Sequence, residues 1–403
     1  MNRANTRKAY VSERICGNQR RIFSPSELIF YLALMMDIAF SVFYPVYTAL
    51  HDYYTYIIWI IIILMLACGK ILRYSGLKIL GLVAFIGMNI AAILVNGSGV
   101  GVIIFFIWPL CIIYMFKNLH LPDSYIGRIN VLMMAGWILA IIGSLRYTDA
   151  YFEALEKNMY IEAINPNTIA IIIVTTCLFL GLYIDSKTKS KFQKILVYLL
   201  SFTALYWTRS RTSLIAFLAI LMVELILKKK VEKSKKWALL LVAIIIAAGI
   251  IFPFIYVGLY TSGVVTYDTQ FLGKRLFTGR QYIWINLWNY LQNNYGAFIW
   301  GVGYNTELYS RGSFNLHNAY LMIFAQYGLP TLLVYLAYIF HSTASMYGKS
   351  GRISDLQFKC YQTLLYVLIV GFGETVLTYM PNLIFIAMAI GIGCRERLEV
   401  AYR

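Results

Sequence analysis

Charge is scarce in this 403-residue chain: only 13% of its residues are Asp, Glu, Lys or Arg, about half the share usual for a soluble domain. Acidic residues are the scarcer kind, 18 against 35 basic. Six cysteines are present, with no Cys-x-x-Cys pair and none in a segment expected outside the membrane, so neither a disulfide framework nor a zinc site is expected. No Asp-x-Asp and no His-Glu-x-x-His occurs, and no metal or cofactor is expected. Residues 1–27 are basic and polar, without an apolar stretch followed by a small-residue cleavage site. They read as a tail before a first span that serves as its own insertion signal, not as a cleaved leader.

Apolar residues fill the space that charge leaves. They make up 60% of the chain, with a mean hydropathy of +0.68, more than a water-soluble core of this length can hide. Crossing the hydrocarbon takes about 20 mostly apolar residues, and such runs recur at 28–50, 55–72, 77–95, 99–116, 126–146, 168–184, 193–208, 212–227, 237–256, 329–347, 358–379 and 382–394. The expected fold is an all-α integral membrane protein of about twelve spans. Its expected parts are a cytoplasmic tail (1–27), a bundle of about nine helices (28–256), a large outer segment (257–328), and C-terminal spans with a short cytoplasmic tail (329–403).

With the N-terminus inside, all but eight of the 35 basic residues fall on the cytoplasmic side. The eight are Arg146, Lys157, Arg209, Arg211, Lys274, Arg275, Arg280 and Arg311. That bias gives both termini a cytoplasmic position in a bacterial inner membrane. The net charge of +17 therefore reports topology and lipid contact, not nucleic-acid binding, and the lysine-rich run 228–236 is its clearest part. Two outer segments are long. One, 147–167, carries Asp149, Glu153, Glu156 and Glu162 and ends in Asn165-Pro166-Asn167; the other runs from 257 to 315. Within the second, Trp284, Leu287, Trp288 and Leu291 recur at helical spacing, which predicts an amphipathic helix at the outer interface.

Three short motifs fall on this outer face. Thr208-Arg209-Ser210-Arg211-Thr212 forms a tight hairpin, Thr278-Gly279-Arg280 lies in the long segment, and His317-Asn318 closes it. An arginine at the mouth of an apolar bundle requires a partner. A guanidinium grips phosphate with a planar fork of donors, so an anionic ligand such as a lipid diphosphate suits them. An arginine there also has a plainer use, as an anchor reaching for lipid headgroups, and Arg209 fits that reading as well. Asp37 and Glu374 fall within expected spans, where an ionisable group is a site candidate. Glu224 is expected to pair at the lysine-rich end of its span.

The order Asn165-Pro166-Asn167, Ser210-Arg211-Thr212, Thr278-Gly279-Arg280 with Trp284, Gly301-Val302-Gly303-Tyr304, then His317-Asn318-Ala319-Tyr320-Leu321 through Gly328-Leu329-Pro330 resembles the O-antigen polymerase and O-antigen ligase superfamily of bacterial membrane glycosyltransferases. The resemblance covers roughly residues 165–347. It implies a GT-C-like fold and metal-independent, inverting transfer of a glycan from undecaprenyl diphosphate on the outer side of the membrane. By the matching motifs, Arg211 and Arg280 would hold the diphosphate and steady the leaving group, and His317 would be the base or orienting group at the acceptor hydroxyl. Arg209, Asn167, Asn318, Tyr304 and Glu374 complete the expected substrate site. Expected partners are undecaprenyl-diphosphate-linked oligosaccharide, membrane lipids, and a flippase and chain-length regulator of the same pathway. A polysaccharide polymerase is the leading reading and a ligase its near rival; a twelve-helix transporter or oligosaccharide flippase is the alternative from another class.

Overall fold

The computed structural model describes residues 25–68, 86–87, 90–91, 94–95, 123–157, 164–188, 190–265, 269–271, 274–275, 279–303, 315–348, 351–377 and 380–394. The expected spans 77–95 and 99–116 lie wholly or largely outside these residues, as do Tyr304, Glu162 and both tails. The described residues are helical apart from one antiparallel pair, β1 (Gln270–Phe271) with β2 (Lys274–Arg275).

The first expected span, 28–50, is not one straight rod. Helix α1 (Pro25–Val42) and helix α2 (Tyr44–Leu50) meet at 112°. Phe43 is extended and Pro45 stands in the first turn of α2, where its missing N–H costs nothing and where it cannot continue the preceding helix. Helix α3 (Tyr54–Cys68) returns against α1. Buried Asp37 of α1 accepts a hydrogen bond from the Tyr54 hydroxyl.

Helix α4 (Asp123–Glu156) runs past the expected boundary at 146. The acids Asp149, Glu153 and Glu156 thus lie on helix rather than loop, because Tyr147–Lys157 contains no proline or glycine and closes on a Glu153–Lys157 pair one turn apart. Helix α5 (Pro166–Tyr183) starts at Asn165, whose side-chain oxygen accepts the Asn167 N–H at 2.9 Å, with Pro166 in the first turn. Apolar on every side and buried along nearly its whole length, α5 packs against α4, α6 (Lys191–Trp207), α7 (Arg211–Met222) and α13 (Asp355–Val370).

A π-helical turn joins α7 to α8 (Lys228–Lys233), and α9 (Lys235–Thr261) follows. Glu224, in that turn, accepts hydrogen bonds from Lys194 at 2.8 Å and Lys359 at 2.7 Å. Its partners are therefore these two lysines, and the 228–236 run pairs elsewhere, Lys228 with Asp355 at 2.7 Å. Helix α10 (Arg280–Asn293) buries Trp284, Leu287 and Leu291 against α9 and the segment before α12, while Trp288 stays half exposed beside Phe254. The apolar face expected at the lipid interface is thus largely turned onto protein.

Helix α11 (Gly296–Trp300) packs on α12 (Ala319–Ser345), which is broken at Gly328 (φ 83°, ψ 172°). Only glycine adopts that conformation readily, and a Cβ there would lie 1.8 Å from the Ile299 carbonyl oxygen. Helix α14 (Met380–Gly393) closes the chain against α13. Among the described residues four helices are long and apolar enough to cross a membrane, five if the bent α1–α2 pair counts as one span. Large apolar side chains such as Leu196, Leu199, Ile244, Ile251 and Phe254 face outward, the expected surface of a multi-pass membrane protein.

Candidate active site

The site is assembled at the ends of α5, α7, α10 and α12 and in the turn after α13. The expected span 358–379 in fact stops at Val370, and residues 371–377 form an irregular turn. Glu374 therefore sits in a connecting segment and not within a helix. Its Oε1 accepts a 3.1 Å hydrogen bond from Arg280 Nη2 and a 2.8 Å hydrogen bond from Asn167 Nδ2. Its Oε2 lies 4.0 Å from His317 Nδ1. One carboxylate thus joins three residues that are far apart in sequence.

Local folding explains each placement. Gly279, with φ 87°, turns the chain into α10 so that Arg280 stands at the helix start. One turn on, the Trp284 indole N–H donates to the Leu316 carbonyl at 2.8 Å and fixes the residue before His317. Asn315 accepts the His317 backbone N–H at 2.7 Å, and His317 adopts φ 49°. Among the described residues the only non-glycine positions with positive φ are His317 and Arg209, a strain that concentrates at functional positions.

Electrostatics set the state of the imidazole. Burial, and then the positive charge of Arg280, push the His317 pKa down to about 4. Glu374 Oε2, 4.0 Å away, does not offset these two effects. His317 is therefore neutral at pH 7, and its Nδ1 has no hydrogen-bond partner among the described residues. Arg211, at the start of α7, is near enough to feel the Arg280 charge, and burial together with that repulsion lowers its pKa. Arg211 and Arg280 thus bring two positive charges to the corner where Glu374 sits. Gly373 lets Thr212 and Arg280 approach closely: a Cβ there would lie 2.7 Å from Thr212 Oγ1 and 3.0 Å from Arg280 Nη1.

Two expected site residues do something else. Arg209 forms a 3.5 Å ion pair with Asp149 and lies over the Phe152 ring, tethering the α6–α7 hairpin to α4 away from Arg280. Asn318 is fully buried; its Oδ1 caps α12 by accepting the Leu321 N–H at 2.9 Å, and its Nδ2 donates to the carbonyls of Gly249 at 3.0 Å and Phe372 at 3.1 Å. It secures α12 to α9 and to the turn carrying Glu374 rather than offering donors to a substrate. Sequence reasoning missed Thr212 and Gly373, whose proximity to Arg280 leaves no trace in spacing.

Residues 196–336 match the family model described as O-antigen ligase. Over this stretch the chain is similar to the O-antigen ligase family. The superfamily match takes in Arg211, Arg280 and His317 and leaves out Asn167 and Glu374, which the fold brings in from either side. Neither a curated protein nor a solved structure matches the chain.

Proposed function

We propose that the chain is a membrane glycosyltransferase that polymerises undecaprenyl-diphosphate-linked oligosaccharide repeats of a surface polysaccharide, on the outer face of a bacterial cytoplasmic membrane. The observation that supports this reading is the cluster of Arg280 and neutral His317 around Glu374, with Arg211 near enough to Arg280 to feel its charge, within and beside the segment matched by the family model. Arg280 and Arg211 grip the diphosphate, with Glu374 orienting the Arg280 fork. The acceptor hydroxyl loses its proton to His317 as its oxygen bonds to the sugar C1. The C1–phosphate oxygen bond breaks from the opposite face, with inversion, and the electron pair leaves on the diphosphate. Fixed cations beside that departing charge act on the transition state more than on the ground state. A neutral imidazole is the right partner for the hydroxyl proton.

The test is incubation of purified protein with undecaprenyl-diphosphate repeat units and measurement of product length. A ladder is expected. A single transfer to a foreign acceptor would make it a ligase instead, which the same residues also support, and no product at all would favour a transporter or flippase. Arg280→Ala and His317→Ala are each expected to lower transfer by about two to three orders of magnitude. Full activity in both correctly inserted variants would remove the enzyme reading. A flippase that delivers the repeats and a chain-length regulator are the partners such a polymerase would need.

A further inference from the structure

Beside the arginine corner lies a cavity of about 430 Å³, within the span of about 300–1,000 Å³ usual for small-molecule sites. Glu374 lines it, whereas Arg280, Arg211 and His317 do not. The other walls include Ser41 at the end of α1, Tyr44 and Tyr47 of α2, Tyr151 of α4, Asn167 of α5 and Asn382 of α14. Among the described residues no lysine or arginine lines it, and the one carboxylate among them is already engaged by Arg280 and Asn167. A phosphate would find no cation among these residues.

Two atoms mark the cavity as built for a polar occupant. Ser41 is 1% exposed and Asn382 3% exposed, yet Ser41 Oγ and Asn382 Oδ1 have no hydrogen-bond partner among the described residues. A buried polar atom left unpaired costs about 1–3 kcal/mol, so such atoms are normally satisfied. Three tyrosines on the same walls supply aromatic faces with polar tips. Apolar ring faces beside unpaired hydrogen-bonding atoms and amides, without a free charge, match an uncharged ring rich in hydroxyls.

We infer that this cavity is a sugar subsite, holding a neutral glycosyl ring of the oligosaccharide on the side of Glu374 away from the diphosphate. The inference rests on the glycosyltransferase reading above and names where its glycan sits. Glu374 then borders two subsites, one gripping phosphate through Arg280 and one gripping sugar beside Asn167.

The experiment uses the purified full chain and two probes. One is the host strain's repeat unit as free oligosaccharide, released from its lipid diphosphate by mild acid; the other is undecaprenyl diphosphate without sugar. Ser41→Ala and Asn382→Leu are expected to weaken oligosaccharide binding at least tenfold while leaving undecaprenyl diphosphate binding unchanged; Arg280→Ala is expected to do the reverse. Ser41→Ala removes a single hydroxyl, so it carries the test even if Asn382→Leu fails to insert. In transfer assays a raised KM for the acceptor assigns the ring to the acceptor, and a raised KM for the lipid-linked donor assigns it to the donor. Oligosaccharide binding unchanged in both variants, or undetectable in the wild-type chain, overturns the subsite. Wild-type protein that binds the oligosaccharide but transfers nothing would instead remove the glycosyltransferase reading and leave the sugar site standing.

Discussion

At the scale of single residues, the protonation of His317 is the property most open to measurement. Its pKa is held at about 4 in the folded chain, against about 6.5 when exposed. The folded state thus binds fewer protons than the unfolded one between those values. The resulting stabilisation is present above pH 6.5 and is lost as pH falls toward 4. Transfer should accordingly hold level from pH 7 to about pH 5 and fall with a midpoint near 4 in a pH–rate profile. A midpoint near 6.5 would mean that the imidazole is solvated and not poised as described. Gly373 gives a second prediction at this scale. Ala in its place puts a methyl group 2.7 Å from Thr212 Oγ1 and 3.0 Å from Arg280 Nη1, so the Thr212 and Arg280 side chains, rather than backbone, must shift. Gly373→Ala should therefore insert and melt like the parent while losing about a hundredfold in transfer, as expected for a misplacement near 1 Å; the comparison of melting temperature with rate checks it. Asn167, Arg280 and His317 each stand in recognisable motifs. What no spacing could convey is that Glu374 joins them, since it lies 207 residues from Asn167 and 94 from Arg280.

Single elements were legible wherever one face or one cap determines them. Asn165-Pro166 announces the start of α5, and the spacing of Trp284, Leu287 and Leu291 defines α10, whereas the capping box of Ser354 and Gln357 that starts α13 went unread. Legibility fails where a neighbour decides. The bend at Phe43 leaves apolar composition unbroken on both sides, so a composition window reads one span. The last ten residues of α4 are polar enough to look like a loop and helical enough to remain a helix. Helix α12 shows the converse, a break that Gly328-Leu329-Pro330 signals and that the contact with Ile299 requires. Gly328→Ala should cost at least about 2 kcal/mol, because the obstacle is a backbone carbonyl. A clear fall in melting temperature checks this, and a variant as stable as the parent would show that α11 is not clamped to α12.

For the whole molecule, the distribution of basic residues implies an arrangement relative to the bilayer. Lys230 in α8 should face the cytoplasm, and Tyr295, which precedes α11 and is exposed, should face outward. In a background without native cysteines, Tyr295→Cys should react with an impermeant maleimide in intact cells, and Lys230→Cys only after lysis. The opposite pattern would turn the bundle over and put the arginine corner on the wrong side for a lipid-linked glycan. The division of the fold is consistent with this arrangement. The Glu224 cluster with Lys194 and Lys359 lies toward the lysine-rich end of the bundle, and the Glu374 cluster lies at the ends of α5, α10 and α12.

The two described arginine–carboxylate contacts near this outer end differ in how much water reaches them. Arg209 and Asp149 are 46% and 63% exposed, Arg280 and Glu374 only 21% and 12%. Dissolved ions screen charges over about 8 Å at physiological strength, and they act on the first contact far more than on the second. Brine strong enough to release the hairpin from α4 would leave the carboxylate at the centre of the site still holding its guanidinium, so detergent extraction in concentrated salt is compatible with an intact site.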